Sequence, residues 1–367
     1  MQKNKRVYLS PPQLSGREFD YVKEALESNW VAPAGPFLTR FEEALAQHAG
    51  VNHALATNSG TSAIHLALLV LGVSKGDEVL CSSLTFIGSS NPIVYCGASP
   101  VFVDSEEQTW NMDPDLLAEA IEDRVKATGK LPKAIVVVHL YGMPAQMDRI
   151  MVIARQYGIP VVEDAAEAVG SVFQGRQAGA LADIGVYSFN GNKIITTSGG
   201  GALLTNNPHW MAKARYLANQ AKENLQHFEH YEVGYNYMLS NISAAIGLAQ
   251  LEELSARVAE RRRVYRLYKQ FLSNYSFQNE PQDVFSNYWL TVCLTEDEGA
   301  VETIQRVAAD ENVELRRFWK PLHLQGVYRS SKSYLNGVSD RLFQTGICLP
   351  FCSEEVIENL AEKLRKG

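Results

Sequence analysis

The chain has 367 residues, 46% of them hydrophobic and 20% charged, with a net charge of −7. That length suits one large domain plus a smaller one, or two of similar size, and the acidic total excludes an overall basic surface for nucleic acid or acidic lipid. Five scattered cysteines, Cys81, Cys96, Cys293, Cys348 and Cys352, are odd in number and form no CxxC pair, which argues against a disulfide framework and fits a reducing compartment.

The opening MQKNKRVYLSPPQLSG has basic residues but no apolar stretch behind them, so no secretory signal is expected. No apolar run approaches the ~20 residues of a membrane span, and the expectation is a cytoplasmic protein away from membranes. Residues 54–57 read as a short strand and 62–71 as the helix that follows it. The alternation continues with a strand at 78–82, a helix at 89–96, a strand at 100–104 and a helix at 113–126 opened by Asp113-Pro114. Residues 134–139 form a strand rich in β-branched side chains, 147–157 a helix and 160–164 a strand. Strands alternating with helices predict an α/β fold with a mostly parallel, doubly wound sheet. A further strand is expected at 184–189.

From about residue 240 the pattern changes. Residues 241–274 are rich in Ala, Leu, Glu and Arg with a helical period, and the Arg261-Arg262-Arg263 run reads as a solvated helix face. A strand at 287–294, a helix at 300–311 and a closing helix at 354–365 follow. The expected division is a large domain with an N-terminal arm at 1–249 and a smaller α/β domain at 250–367. The eight histidines show no HExxH or other metal spacing, so no metal site is expected.

Four segments carry candidate chemistry. Asn58-Ser59-Gly60-Thr61-Ser62 leaves a strand and opens a helix, where free N–H groups and hydroxyls suit an anion; a simple helix cap reads as well. Val161-Val162-Glu163-Asp164-Ala165-Ala166-Glu167 ends a strand in carboxylates at the sheet edge where open α/β folds bind ligands. A carboxylate there could hold a protonated ring nitrogen, and an acidic first helical turn is the other reading. Ser188-Phe189-Asn190-Gly191-Asn192-Lys193 places a lysine between a strand and Gly199-Gly200-Gly201. Lysine is the usual amine nucleophile toward carbonyls, whereas a solvated loop lysine is the plainer alternative. Gly234-Tyr235-Asn236-Tyr237-Met238-Leu239-Ser240-Asn241 joins the two regions, either as a junction or as a strip reaching into a shared site.

Taken together and in order, Asn58-Ser59-Gly60-Thr61, Glu163-Asp164-Ala165-Ala166, Ser188 with Lys193, Gly199 to Gly201 and Gly234-Tyr235-Asn236 resemble the DegT/StrS-type sugar-nucleotide aminotransferases. Leu9-Ser10-Pro11-Pro12, Ser28-Asn29-Trp30-Val31-Ala32-Pro33 and Trp319-Lys320-Pro321-Leu322-His323 are similar to the UDP-4-amino-sugar transaminases of the bacillosamine pathway within that family. So is Tyr334-Leu335-Asn336-Gly337 followed by Gly346 to Pro350. The resemblance implies the type I, aspartate aminotransferase-like fold of pyridoxal 5'-phosphate enzymes, working as a homodimer with shared sites. It implies that Lys193 carries the cofactor, Asp164 binds its ring nitrogen, and Gly60, Thr61 and Ser188 hold its phosphate with Asn236 supplied across the dimer. Phe86 would stack on the ring and Glu167 would lie beside it. Many members carry His or Gln at the position of Glu167 and Arg at that of Met238; the bacillosamine group resembles this chain in having Glu.

The same resemblance implies L-glutamate as amino donor and a UDP-linked 4-keto-6-deoxy-N-acetylhexosamine as acceptor, with two half-reactions in one site and ping-pong kinetics. Val31, Ala32, Pro33 and Ala34 would line the sugar pocket with Thr61 and Ser188. Arg316 would meet the diphosphate, and His323, Leu324 and Gln325 the sugar or uridine. Amination at C3, or of a dTDP- or GDP-linked sugar, is the nearest rival. Related dehydratases carry His at the lysine position, an oxidoreductase would need a GxGxxG turn that is absent, and a cofactor-binding sensor would need an attached DNA-binding module.

Overall fold

The computed structural model describes residues 6–366, with side chains through residue 364. Part of the opening read as lacking a signal, residues 1–5, lies outside that range. An eight-stranded sheet organises the larger part of the molecule. Its strands, in chain order, are β1 (His53–Thr57), β2 (Glu78–Ser82), β3 (Ser99–Val103), β4 (Ala134–Val138), β5 (Val161–Asp164), β6 (Ile184–Ser188), β7 (Gly201–Thr205) and β8 (Ser333–Tyr334). They lie side by side as β1-β7-β6-β5-β4-β2-β3-β8. All neighbours are parallel except β7, which is antiparallel to both β1 and β6. The strand β4, Ala-Ile-Val-Val-Val, is buried throughout, as a parallel strand covered on both faces requires.

This topology decides where chemistry gathers. Because β1 and β6 are each antiparallel to β7, they run the same way as β5. The ends of β1, β5 and β6 therefore share one edge, where Gly201 at the start of β7 pairs with Thr57 and Ser188. Asp113 caps the helix Pro114–Thr128, its carboxylate accepting the N–H of Asp115 at 2.8 Å.

The expected helix over 241–274 is two helices, Asn241–Glu252 and Leu254–Phe271, divided at Glu253 with φ −95° and ψ 0°. The first packs on the N-terminal helices Arg17–Glu27 and Pro36–Ala49, and the second on the C-terminal helix Glu354–Lys366. One helical period thus serves two cores. Those two N-terminal helices, the helix Pro208–Ala218 and the strand β7 were not anticipated from the sequence. The expected strand over 287–294 is regular only over Thr291–Leu294, which pairs with Gly346–Leu349 in a second, four-stranded sheet. The late residues also return to the first sheet through β8, and Leu322 N–H donates to Ser83 O at 2.8 Å.

The solvated face expected for Arg261-Arg262-Arg263 is corrected: Arg261 is only 3% exposed. Arg262 Nη1 donates to Glu280 and to the Ser286 carbonyl, both at 2.6 Å, and Arg263 pairs with Glu260 at 3.0 Å. Among the described residues no helix is long and apolar enough to cross a membrane.

Glu18 ties the N-terminal helix to Asn241–Glu252. It accepts from the backbone N–H of Ser15 and Gly16 and from the Gln250 side chain. Burial raises its carboxyl, but the Gln250, backbone and Ser15 bonds outweigh burial and hold the pKa down to about 2. A carboxyl depressed by folding contributes stability above its unfolded pKa, and that contribution disappears as pH falls through the folded value. Glu18→Gln is therefore expected to lower unfolding free energy by about 3 kcal/mol at pH 7, with the gap to wild type closing between about pH 4.5 and 2. Urea melts across that range measure it.

Candidate functional site

The shared edge opens into a cleft of about 300 Å³, the low end of small-molecule pockets, and Lys193, Asp164 and Glu167 border it. Asp164 ends β5 and is 5% exposed. Its Oδ2 accepts from Ser89 Oγ at 2.7 Å and its Oδ1 from Ala166 N at 3.1 Å, while Thr85 Oγ1 lies 3.0 Å behind Ser89 Oγ. Burial pushes its carboxyl above the usual range, and the Ser89 and Ala166 bonds and the charge of Lys193 draw it back.

Lys193 lies in the turn after β6, its N–H bonded to Asn190 O at 3.0 Å. Its Nζ is 3.7 Å from Glu167 Oε1 and 4.1 Å from the centre of the Trp289 ring. Burial also raises the Glu167 carboxyl, opposed first by Lys193 and then by the Tyr141 N–H, which donates to Oε2 at 2.7 Å. Tyr141 is buried with φ +55°, a left-handed conformation unusual for a tyrosine. That conformation sits where its N–H holds Glu167 and its hydroxyl accepts from Trp319 N at 2.9 Å.

Opposite, the helix Gly60–Val70 begins at the cleft and presents the unpaired N–H groups of a helix start. The expected hydroxyl donors divide here. Ser59 caps Ser62 N at 3.0 Å and Ser62 Oγ donates to Asn58 Oδ1 at 2.6 Å, so both serve the turn; Ser59 and Thr61 border the cleft and Ser62 does not. Of the triple glycine, Gly199 and Gly200 border the cleft, and packing constrains Gly200 and Gly201 as well. A Cβ on Gly201 would strike the backbone of Ser59 and Gly60, and one on Gly200 the Thr197 side chain; a Cβ on Gly199 would meet nothing. Gly201 is what lets the helix start seat between β1 and β6. Gly201→Ala is expected to cost roughly 1–3 kcal/mol of stability by overpacking and to weaken anion binding at Gly60. Urea melts and a pyridoxal phosphate titration check both.

Phe86 borders the cleft and packs 5.4 Å from the Trp319 ring, and Ser188 lies beneath Gly60. Asn236 is exposed and lies outside this chain's cleft; its carbonyl accepts from Asn58 Nδ2 at 3.1 Å. Val31, Ala32, Pro33 and Ala34 form an exposed loop outside the cleft, anchored where Asn241 N donates to Ala32 O at 2.9 Å and Asn241 Nδ2 to Trp30 O at 2.8 Å. Arg316 points to Glu314 at 2.6 Å, and His323 lies between Ser83 Oγ at 2.7 Å and Asp340 Oδ1 at 2.9 Å. Neither of these two, nor Leu324 or Gln325, borders the cleft. Sequence reasoning missed Ser89, Tyr141 and Trp289. Trp289 lies in a stretch read as strand, and nothing periodic marks it as facing Lys193.

A primary amine, a buried carboxylate and a helix start around one cleft are the donor set that an aldehyde-bearing aromatic cation with a phosphate requires. Comparisons with known proteins agree. The sequence pattern of the DegT/DnrJ/EryC1/StrS aminotransferase family matches residues 12–365. The chain is 49% identical over 356 residues to EpsN of Bacillus subtilis, assigned by name to the pyridoxal phosphate-dependent aminotransferases, covering 95% of this chain and 91% of that one. It is 41% identical over 331 residues to the GDP-perosamine synthase of Caulobacter vibrioides, covering 88% and 87% of the two chains. The crystal structure of DesI in the presence of its TDP-sugar product superposes with a TM-score of 0.88 at 28% identity, covering 99% of this chain and 93% of that one.

Proposed function

Because the chain belongs to the DegT/DnrJ/EryC1/StrS aminotransferase family, pyridoxal phosphate-dependent enzymes of sugar-nucleotide chemistry, we propose that it moves an amino group from L-glutamate to C4 of a UDP-linked 4-keto-6-deoxy-N-acetylhexosamine. The observation that carries the reading is the placement of Lys193 Nζ within 3.7 Å of Glu167 in the cleft that Asp164 also borders. Lys193 holds the cofactor covalently, the Asp164 carboxylate holds the proton on its ring nitrogen, and Gly60, Thr61 and Ser188 take its phosphate. Bound there, the cofactor supplies an electron sink for the carbon that loses or gains nitrogen. As a free amine, Lys193 Nζ would take the proton lost by the donor carbon in one half-reaction and would supply the proton gained by the acceptor carbon in the other, so its own protonation is unchanged over the full cycle. Glu167, at 3.7 Å, stabilises its ammonium form.

A second copy of the chain completes the site in this reading. The exposed Phe228, Tyr231 and Val233 of the segment before Asn236 supply apolar surface for it, and Asn236 reaches the partner's phosphate. The unit at 250–367 supplies Trp289 and Trp319 to a cleft otherwise built by the unit at 1–249. Five free cysteines suit a cytoplasmic setting.

The UDP and C4 assignments rest on the segments that resemble the bacillosamine enzymes. The 41% identity to a GDP-perosamine synthase supports a second reading, a GDP-linked 4-keto sugar. A panel of UDP-, GDP- and dTDP-linked keto sugars with L-glutamate, followed by NMR of the products, separates them. An amine at C4 of the UDP sugar is expected. Turnover of the GDP sugar alone favours the second reading, and no amine on any sugar ends both.

A further inference from the structure

The motif Leu9-Ser10-Pro11-Pro12 and the arginine run of the helix Leu254–Phe271 meet behind the lysine turn. Arg261 Nη2 donates to Ser10 Oγ at 3.0 Å, and its guanidinium lies 4.0 Å from the centre of the Phe351 ring. Among the described residues no carboxylate lies within ion-pair distance of it, and its Nε has no hydrogen-bond partner. Burial and the neighbouring Arg257 pull its pKa down to about 9, so it is still a cation at neutral pH. A buried cation without a counter-ion is costly, and an apolar side chain of similar bulk would pack at lower cost. The charge therefore calls for an explanation in what it donates to.

Ser10 passes the bond on. A guanidinium only donates, so Ser10 Oγ accepts from Arg261 and spends its own proton on the Asn192 carbonyl at 2.7 Å. The same carbonyl accepts from Trp289 Nε1 at 2.8 Å. Two donors thus converge on the peptide that joins Asn192 to Lys193, and one belongs to the ring that Lys193 Nζ overlies. The arm itself is held by the smaller unit: Val7 N donates to Asn312 O at 3.0 Å, Leu9 N to Glu314 Oε2 at 3.1 Å, and Phe351 N to Leu9 O at 2.9 Å.

We propose that Ser10 and Arg261 are positioning residues: the N-terminal arm straps the smaller unit to the lysine turn through a relay from Arg261 to Ser10 to the Asn192 carbonyl, setting Lys193 and Trp289 for cofactor capture. A cationic donor makes the Ser10 hydroxyl a stronger donor in turn. The inference rests on the reading of Lys193 as the cofactor carrier.

The test uses full-length wild type, Ser10→Ala, Ser10→Thr and Arg261→Met, each stripped of cofactor and mixed with pyridoxal phosphate. Capture is followed by absorbance, the modified residue is mapped after borohydride trapping, and thermal melts of the stripped proteins run in parallel. Ser10→Ala and Arg261→Met should capture on the order of tenfold more slowly, and Ser10→Thr close to the wild-type rate. Arg261→Met should melt at or above the wild-type temperature, because it removes an unpaired buried charge. Capture by Ser10→Ala at the wild-type rate overturns the relay, as does a capture defect in Arg261→Met that merely follows a lower melting temperature. A wild-type protein that captures cofactor without modification at Lys193 overturns the carrier reading instead.

Discussion

Lys193→Ala is expected to leave a folded protein that no longer transfers amino groups, with kcat lower by roughly 10³-fold or more. The substitution removes both the covalent attachment and the amine that shuttles the proton, and no other described lysine borders the cleft. Borohydride treatment of the variant with pyridoxal phosphate should then fix no cofactor at position 193; retention of colour and turnover would end the proposed mechanism. The variant also carries a pH signature. In the stripped protein Asp164 and Glu167 both sit above the usual carboxylate range, burial being the main cause and Lys193 among the opposing charges. A carboxyl raised by folding gives stability that is fully present below its unfolded pKa, about 4, and is lost as pH rises through the folded value. Removing Lys193 raises both carboxyls further. The variant should therefore match wild type in acid and fall behind it as pH rises above the usual carboxylate range, a trend that melting curves read directly.

Asp164→Asn is expected to lower kcat/KM by roughly 10²–10⁴-fold while leaving Lys193 available for borohydride trapping. An amide cannot hold a proton on the ring nitrogen as a carboxylate does, so the electron sink is weakened although the attachment survives. Cofactor affinity should fall as well, measurable by dialysis against graded pyridoxal phosphate. Glu163→Gln provides the contrast. Successive strand residues face opposite ways, and Glu163 turns from the cleft to accept from His139 Nε2 and Leu181 N, both at 2.8 Å, and from Ala182 N at 3.2 Å. His139 accepts the Ala145 N–H at Nδ1 and so keeps its proton on Nε2, toward Glu163. Losing that partnership should lower stability, with activity per folded molecule much less affected than in Asp164→Asn. Equal losses of activity in the two variants would remove the special role of Asp164.

What the sequence by itself determined is local. The β-branched run of β4, the Asp113-Pro114 cap and the helix Met147–Tyr157 follow from propensity, capping and period, which act over a few residues. The strand-end carboxylate at Asp164, the helix start at Gly60 and the lysine after Ser188 were legible for the same reason. The tertiary structure alone decided what stands next to them. Ser89 reaches Asp164 across 75 residues and Ser10 reaches Asn192 across 182. Gly201 was visible as a glycine, but its reason was not, because the backbone it admits comes from Ser59 and Gly60 on another strand's end. The same holds for the unbroken helical period that became two helices, and for Arg261, which reads as solvated and is buried. Period and composition report which residues favour an element, whereas burial and partnership depend on which distant segments the sheet order brings to that edge.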